Sequence, residues 1–209
     1  FDMGYNWEGH SIMNEMAKGN KTVKAWDEYM KKIDTLYEDD DVLMNFITNH
    51  DENSWAGTVK ERMGNAGETF LAMSYTIPGM PLIYSGQEYD MDHRLKFFEK
   101  DSIPKTKGKV WPVMERLGDL KNSTKALHGG RNAAGYERIT TSADEKILAF
   151  RREKEGDELI FVANMSASPV NFTMNTSGEF ENLNNSEVIN LEENMEMNFG
   201  PWEYRILTK

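Results

Sequence analysis

The chain has 209 residues, enough to bury a sizeable core as one large domain or two smaller ones. Its 24 Lys and Arg against 35 Asp and Glu give a net charge of −11, with no basic run longer than two, which excludes the footprint of a nucleic-acid binder and leaves a neutral partner open. It has no cysteine, so disulfides, thiolate chemistry and cysteine-based zinc sites are excluded together.

The opening FDMGYNWEGH is neither basic nor an apolar signal region, and no stretch approaches the roughly 18 apolar residues that cross a bilayer. A sequence opening on Phe1 and Asp2 is expected to be a processed product or a piece of something longer. From Trp7, the residues Ile12, Met13, Met16 and Ala17 recur at helical spacing up to a stop at Lys18-Gly19-Asn20. A second helix is predicted from Val23 to Tyr37, with Trp26, Met30 and Ile33 on one face, before Glu38 to Asp41 break the pattern. VLMNFI is then a continuous apolar run of strand length, as in a parallel sheet covered on both faces. Residues 59–77 are predicted helical and Met80 to Tyr84 a short strand. A polar, basic and aromatic loop leads to about Trp111, and an amphipathic helix over Val113 to Leu127 closes at Gly129-Gly130.

Helix, strand, helix, strand, helix is the βα order of a parallel sheet or barrel. Past Gly135 the texture changes to KILAFRRE, ELIFVANMS, VNFTM, SEVINL and WEYRILT, short alternating segments joined by Gly, Asn, Ser and Asp, the pattern of an antiparallel sandwich. The expected fold is α/β followed by all-β, with domains over 1–132 and 133–209 and a boundary near residues 131 to 136.

In a βα architecture, functional residues sit where strands end and loops begin. Asn49, His50 and Asp51 occupy that position in FITNHDENSW. Asn, Asp and Ser after a strand also cap the next helix, but capping does not call for a histidine. A neutral imidazole beside a carboxylate offers a donor and acceptor pair suited to vicinal hydroxyls. The next strand, in MPLIYSGQEY, leads through Gln87 and Glu88 to Asp90 and Arg94, which pair with each other if helical or together bind a polyol. Trp55, Tyr84 and Tyr89 have faces that could stack on sugar rings, whereas Phe97 and Phe98 are read as packing.

NFITNHDENSW resembles the fourth conserved region of the α-amylase family of glycoside hydrolases, an apolar strand ending in Asn-His-Asp. GMPLIYSGQE resembles the eighth barrel strand of those enzymes, FDMGYNWEGH the sixth strand and its loop, and RLKFFEKDSIP the loop after the eighth strand in amylases of gut Bacteroidetes. Together with a terminal sandwich like the family's domain C, the resemblance spans essentially the whole chain. It implies the last three βα units of a (β/α)8 TIM barrel followed by domain C. It further implies that Asp51 is the family's third catalytic carboxylate, which grips the hydroxyls of the distorted sugar, and that His50 hydrogen-bonds the same ring. Asp90 and Arg94 look like an Asp and Arg, also four apart, that bind substrate one subsite further on, although the loop here is shorter. Glu88 is expected to be structural.

Retaining hydrolysis needs a nucleophilic and an acid/base carboxylate about 5 to 5.5 Å apart. The family's motifs for them, Gly-x-Arg-x-Asp and a strand ending in Glu, do not occur in this sequence. A barrel of roughly 250 residues does not close from about 130. The first expectation is therefore a portion of a retaining amylase acting on α-1,4-glucans in starch or maltooligosaccharides, inactive by itself. The alternative is a non-catalytic glucan-binding or accessory module, against which the intact Asn-His-Asp argues. No metal ligands or cofactor are expected in this segment, with calcium assigned to the parent. The expected partner is an α-glucan or maltooligosaccharide, with self-association through exposed barrel edges, and the parent is expected to be secreted, periplasmic or on a bacterial surface.

Overall fold

A computed structural model describes residues 3–38 and 40–209. Phe1 and Asp2 of the first motif, and Asp39 of the acidic break, lie outside the described residues.

Three parallel strands come first: β1 (Met3–Tyr5), β2 (Val42–Asn45) and β3 (Met80–Pro81), side by side in that order, with Met3 opposite Val42 and Met44 opposite Met80. Helices α1 (Trp7–Ala17) and α2 (Val23–Leu36) connect β1 to β2, and α3 (Val59–Met63) and α4 (Gly67–Thr76) connect β2 to β3. Parallel strands require such crossovers, because the chain must return to the same end of the sheet. As the periodicity predicts, α2 turns Trp26 into the core with Met30 and Ile33 packed alongside.

The sequence reading is corrected in four places. Val42, Leu43 and Met44 are only half-buried, because three strands are too few to be enclosed on both faces. The helix expected over residues 59–77 is split at Gly64, whose φ of +53° lies in the left-handed region. The strand expected from Met80 to Tyr84 pairs only over Met80–Pro81, extended by one bond from Leu82 N to Asn45 O at 2.7 Å. Its approach depends on Gly79, since a Cβ there would lie 2.3 Å from Leu43 O. Helix α5 (Val110–Ser123) starts three residues before Val113 and gives way to a short 3₁₀ turn over Lys125–Leu127.

The rest of the chain is antiparallel. A six-stranded sheet has the order β4 (Glu137–Arg138), β5 (Ile147–Lys154), β6 (Asp157–Asn164), β11 (Tyr204–Thr208), β8 (Gly178–Asn182) and β9 (Glu187–Leu191). β7 (Val170–Thr173) and β10 (Glu196–Phe199) form a two-stranded ribbon. Side chains alternate across a strand, and here both faces of the large sheet are buried. Ile147, Ala149, Ile160 and Val162 pack with Val170, Phe172 and Phe199, while Leu148, Phe150, Leu159 and Phe161 join the core of Trp26, Phe70 and Met73.

Polar bonds reinforce that second contact. The guanidinium of Arg152, fully buried, donates to Thr76 O at 2.9 Å, to Gly135 O at 2.6 Å and to Ala134 O at 3.2 Å. Burial pushes its pKa down to about 10. Tyr204 Oη donates to Glu68 Oε1 at 3.0 Å, and Arg138 Nε to Asp27 Oδ1 at 2.9 Å, so α4 and α2 are each tied to the antiparallel sheet.

Candidate functional site

The three parallel strands deliver their loops to one end of the sheet, and asparagines organise that end. Asn6, just after β1, accepts from Gly9 N at 2.8 Å, capping α1, and from Tyr29 Oη at 2.5 Å. Its amide donates to Asn45 Oδ1 at 2.9 Å, and Asn45 donates onward to Pro78 O at 2.9 Å. Both asparagines are buried, and their amides tie the ends of β1 and β2 to the segment that leads into β3.

Beyond Asn45 the chain stays buried through Phe46, Ile47, Thr48 and Asn49 and then emerges. Asn49 is the cap: its side-chain oxygen accepts from Glu52 N at 2.8 Å and its carbonyl from Asn53 N at 3.0 Å. His50 and Asp51 open the helical turn and lead into one π-helical turn over Glu52–Ala56. The capping and functional readings of Asn-His-Asp therefore divide between residues. Asn49 caps, leaving the side chains of His50 and Asp51 52% and 44% exposed, with Nε2 and Oδ1 3.6 Å apart.

What holds the turn lies behind it. His10 on α1 is 3% exposed and stacks on Phe46 with ring centroids 4.4 Å apart. Its Nδ1 faces Phe46 O at 3.1 Å, and its Nε2 lies 2.9 Å from Glu52 Oε2. Arg62 on α3 donates to Asn14 Oδ1 and Ile47 O, both at 2.7 Å, and to Gly57 O at 2.9 Å, with its Nη1 3.5 Å from Glu52. Burial holds the His10 pKa below its ordinary value against the opposing pull of Glu52, and burial likewise lowers that of Arg62. Two helices, α1 through His10 and α3 through Arg62, thus converge on Glu52, the residue after Asp51. Sequence reasoning missed this network because its members lie in separate elements; the one available signal was a pair of polar residues, His10 and Asn14, four apart on the apolar face of α1.

Asp90 and Arg94 are not brought together. Asp90 sits at φ +54° in a loop, and its carboxylate accepts from Lys109 N and, at 3.0 Å, from Val110 N, capping α5 from twenty residues away in sequence. This explains the early start of that helix. Arg94 forms a two-pronged pair with Glu61, at 2.8 and 3.1 Å. Of the two alternatives, pairing of Asp90 with Arg94 on a helix is not observed: residues 90–94 are not helical, and each side chain has another partner. Glu88 accepts from Gly86 N at 2.8 Å, a local loop contact in keeping with the structural reading.

Phe97 and Phe98 are also corrected. Neither is packed away: they are 41% and 84% exposed, beside a Trp55 that is 62% exposed. Tyr89, by contrast, lies against Trp111 at 5.4 Å. Among the described residues no group of three or more His, Asp or Glu side chains is placed to hold a metal ion, and no helix is long and apolar enough to cross a membrane.

The whole chain, a three-stranded parallel sheet with helical crossovers joined to an antiparallel sandwich, superposes on about half of each of several solved α-amylase structures. The maltogenic α-amylase AmyB of Thermotoga neapolitana superposes on all of the chain with a TM-score of 0.85 at 18% identity, half of that protein being covered. An α-amylase of Lactobacillus plantarum does so with a TM-score of 0.79, 48% of it being covered. The family model described as Maltogenic Amylase, C-terminal domain, matches residues 138–206. In sequence, the chain is 26% identical to a beta/alpha-amylase of Paenibacillus polymyxa and 24% identical to a cyclomaltodextrin glucanotransferase of Klebsiella oxytoca. These alignments take in 79% and 71% of the chain but only 14% and 26% of those relatives. Together these likenesses support reading the chain as a fragment similar to α-amylase-family proteins, with a domain C over residues 138–206.

Proposed function

We propose that the chain is the carboxyl-terminal portion of a retaining α-amylase acting on α-1,4-glucans. In this reading residues 1–132 supply the last three βα units of a (β/α)8 barrel and residues 133–209 form domain C. Asp51 grips the hydroxyls of the distorted glucosyl ring and favours its oxocarbenium-like transition state, while His50 hydrogen-bonds the same ring. Arg94 lies on the flanking loop as a second contact to the glucan, and Asp90 shapes that loop through its cap on α5. The nucleophile and acid/base carboxylate come from elsewhere in the parent, so this chain alone does not hydrolyse glucans. A polymeric substrate places the parent outside the cytoplasm, secreted, periplasmic or surface-bound. The unpaired edges of β1 and β3, with Met3, Tyr5, Met80 and Ile83 at or beside them exposed, continue into the parent's barrel and drive self-association of the chain by itself.

One observation carries this reading. The buried segment that follows β2 spends Asn49 on the cap and leaves an imidazole and a carboxylate side by side, unburied, on a turn held from behind by Glu52. In the full-length parent, Asp51→Asn is expected to lower kcat on maltoheptaose by about 10² to 10³-fold, the scale of losing one preorganised electrostatic contact in the transition state. An unchanged kcat would overturn the assignment, and a full-length parent without turnover would favour the accessory-module alternative.

A further inference from the structure

Trp55, Phe97 and Phe98 form a continuous exposed aromatic surface. Trp55 is 5.4 Å from Phe97 and 6.2 Å from Phe98, the two phenylalanines are 4.8 Å apart, and Phe97 continues to the imidazole of His50 at 6.0 Å. Exposed apolar side chains are ordinarily scattered singly, and contiguous patches mark interaction sites.

The loop that presents these rings is held by polar bonds to the turn that carries His50 and Asp51. Buried Asn53 donates to His93 O at 3.1 Å and accepts from Leu95 N at 2.8 Å, and Ser54 donates to Leu95 O at 2.8 Å. Asp101 gathers the far side of the loop, accepting from Ser102 N at 2.8 Å and Lys96 N at 3.1 Å and lying 2.9 Å from His93 Nε2. These contacts hold its carboxyl at about 2, well below the usual range. The rings are exposed on a loop whose backbone these bonds hold in place, which lowers the ordering cost of binding a ligand there.

We propose that this surface is a stacking platform for a glucosyl unit of an α-glucan adjoining the unit held by Asp51, an assignment that rests on the reading of His50 and Asp51 given above. A pyranose has apolar C–H faces and a hydroxyl rim. Trp55 and Phe97 meet the face of this unit, while His50 and Asp51 beside the platform hold the hydroxyls of the neighbouring unit. The net charge of −11 favours a neutral polyol over an anionic ligand. The platform would therefore set how tightly longer chains are held.

Calorimetric titration of the chain with maltoheptaose, combined with sedimentation velocity, tests this. All three rings are substantially exposed, so their substitution leaves the fold intact, as unchanged circular dichroism would verify. Trp55→Ala and the double change Phe97→Ala/Phe98→Ala are each expected to weaken binding about tenfold without altering sedimentation, whereas Trp55→Phe retains most of it. If Asp51→Asn weakens binding while the aromatic variants match the native chain, the platform is refuted and the proposed function survives. If the aromatic variants change sedimentation but not the titration, the surface is a contact between copies and the platform is refuted. No saturable binding by the native chain refutes both readings.

Discussion

The parallel and antiparallel regions solve the same problem in opposite ways. In the antiparallel region both faces of the central strands are covered, and among the described residues none of its strands carries a buried side-chain polar atom left without a partner. All six such atoms among the described residues lie before residue 137, and Thr48 Oγ1, Asn49 Nδ2 and Gln87 Nε2 cluster at the ends of β2 and β3. Buried polar groups without partners and exposed aromatic rings both cost stability. Three of the six polar atoms lie near the turn where His50 and Asp51 emerge. The described strands of one region carry none of them, while the other keeps part of its unpaired polar groups beside its candidate site, the distribution expected when a scaffold and a site are divided between two sheets.

This contrast can be broken most severely at the seam. Arg152→Met removes the donor to the carbonyls of Thr76, Ala134 and Gly135, the first two buried, and unsatisfied buried acceptors cost about 1 to 3 kcal/mol each, so a loss of about 2 kcal/mol or more is expected in urea unfolding. Because Arg152 joins β5 to the end of α4, both regions should lose stability together in one transition. Two separated transitions would mean that the seam is not shared.

Glu52→Gln acts within the parallel region alone. It keeps the shape but removes the charge facing His10 and Arg62, and a cost of about 1 to 3 kcal/mol is expected at this charged hydrogen bond. Amide hydrogen exchange should accelerate over residues 50–56 and remain native in β5 and β6. The smallest effect is that of pH. Burial depresses the His10 pKa in the folded chain, so the unfolded chain binds more protons as pH falls through the ordinary histidine value of 6.5. Stability should therefore decline as pH drops from about 7 through 6.5 and level off below the folded pKa, and His10→Gln should flatten this part of the profile.

Local signals made part of this molecule legible. The apolar spacing of α1 and α2 and the alternation in β5 and β6 each report on neighbours within a few residues, and each corresponds to an observed element, whereas β2 stops at Asn45 and a buried irregular segment over Phe46 to Thr48 separates it from Asn-His-Asp. What stayed hidden depends on distant partners. The start of α5 is decided by Asp90, the partner of Arg94 is Glu61, and the support of the Asp51 turn comes from His10 and Arg62. Phe97 and Phe98 looked like core by residue type, because nothing local records that Asn53 and Ser54 fasten their loop at the surface. Arg152 reads as one of two adjacent basic residues in a strand, and only the fold shows it fully buried.

The second face of the antiparallel sheet has a consequence for inheritance and engineering. Leu148, Phe150, Phe161 and Tyr204 share one core with Trp26 and Phe70, so the junction near residue 133 is a change of texture and not a place to cut. A donor domain grafted there would have to bring its own matching relief of rings and its own cation for the carbonyls at Thr76, Ala134 and Gly135. Recombination between relatives should succeed when breakpoints fall in the loops at the strand ends and fail when they separate the sandwich from the helices that rest on it.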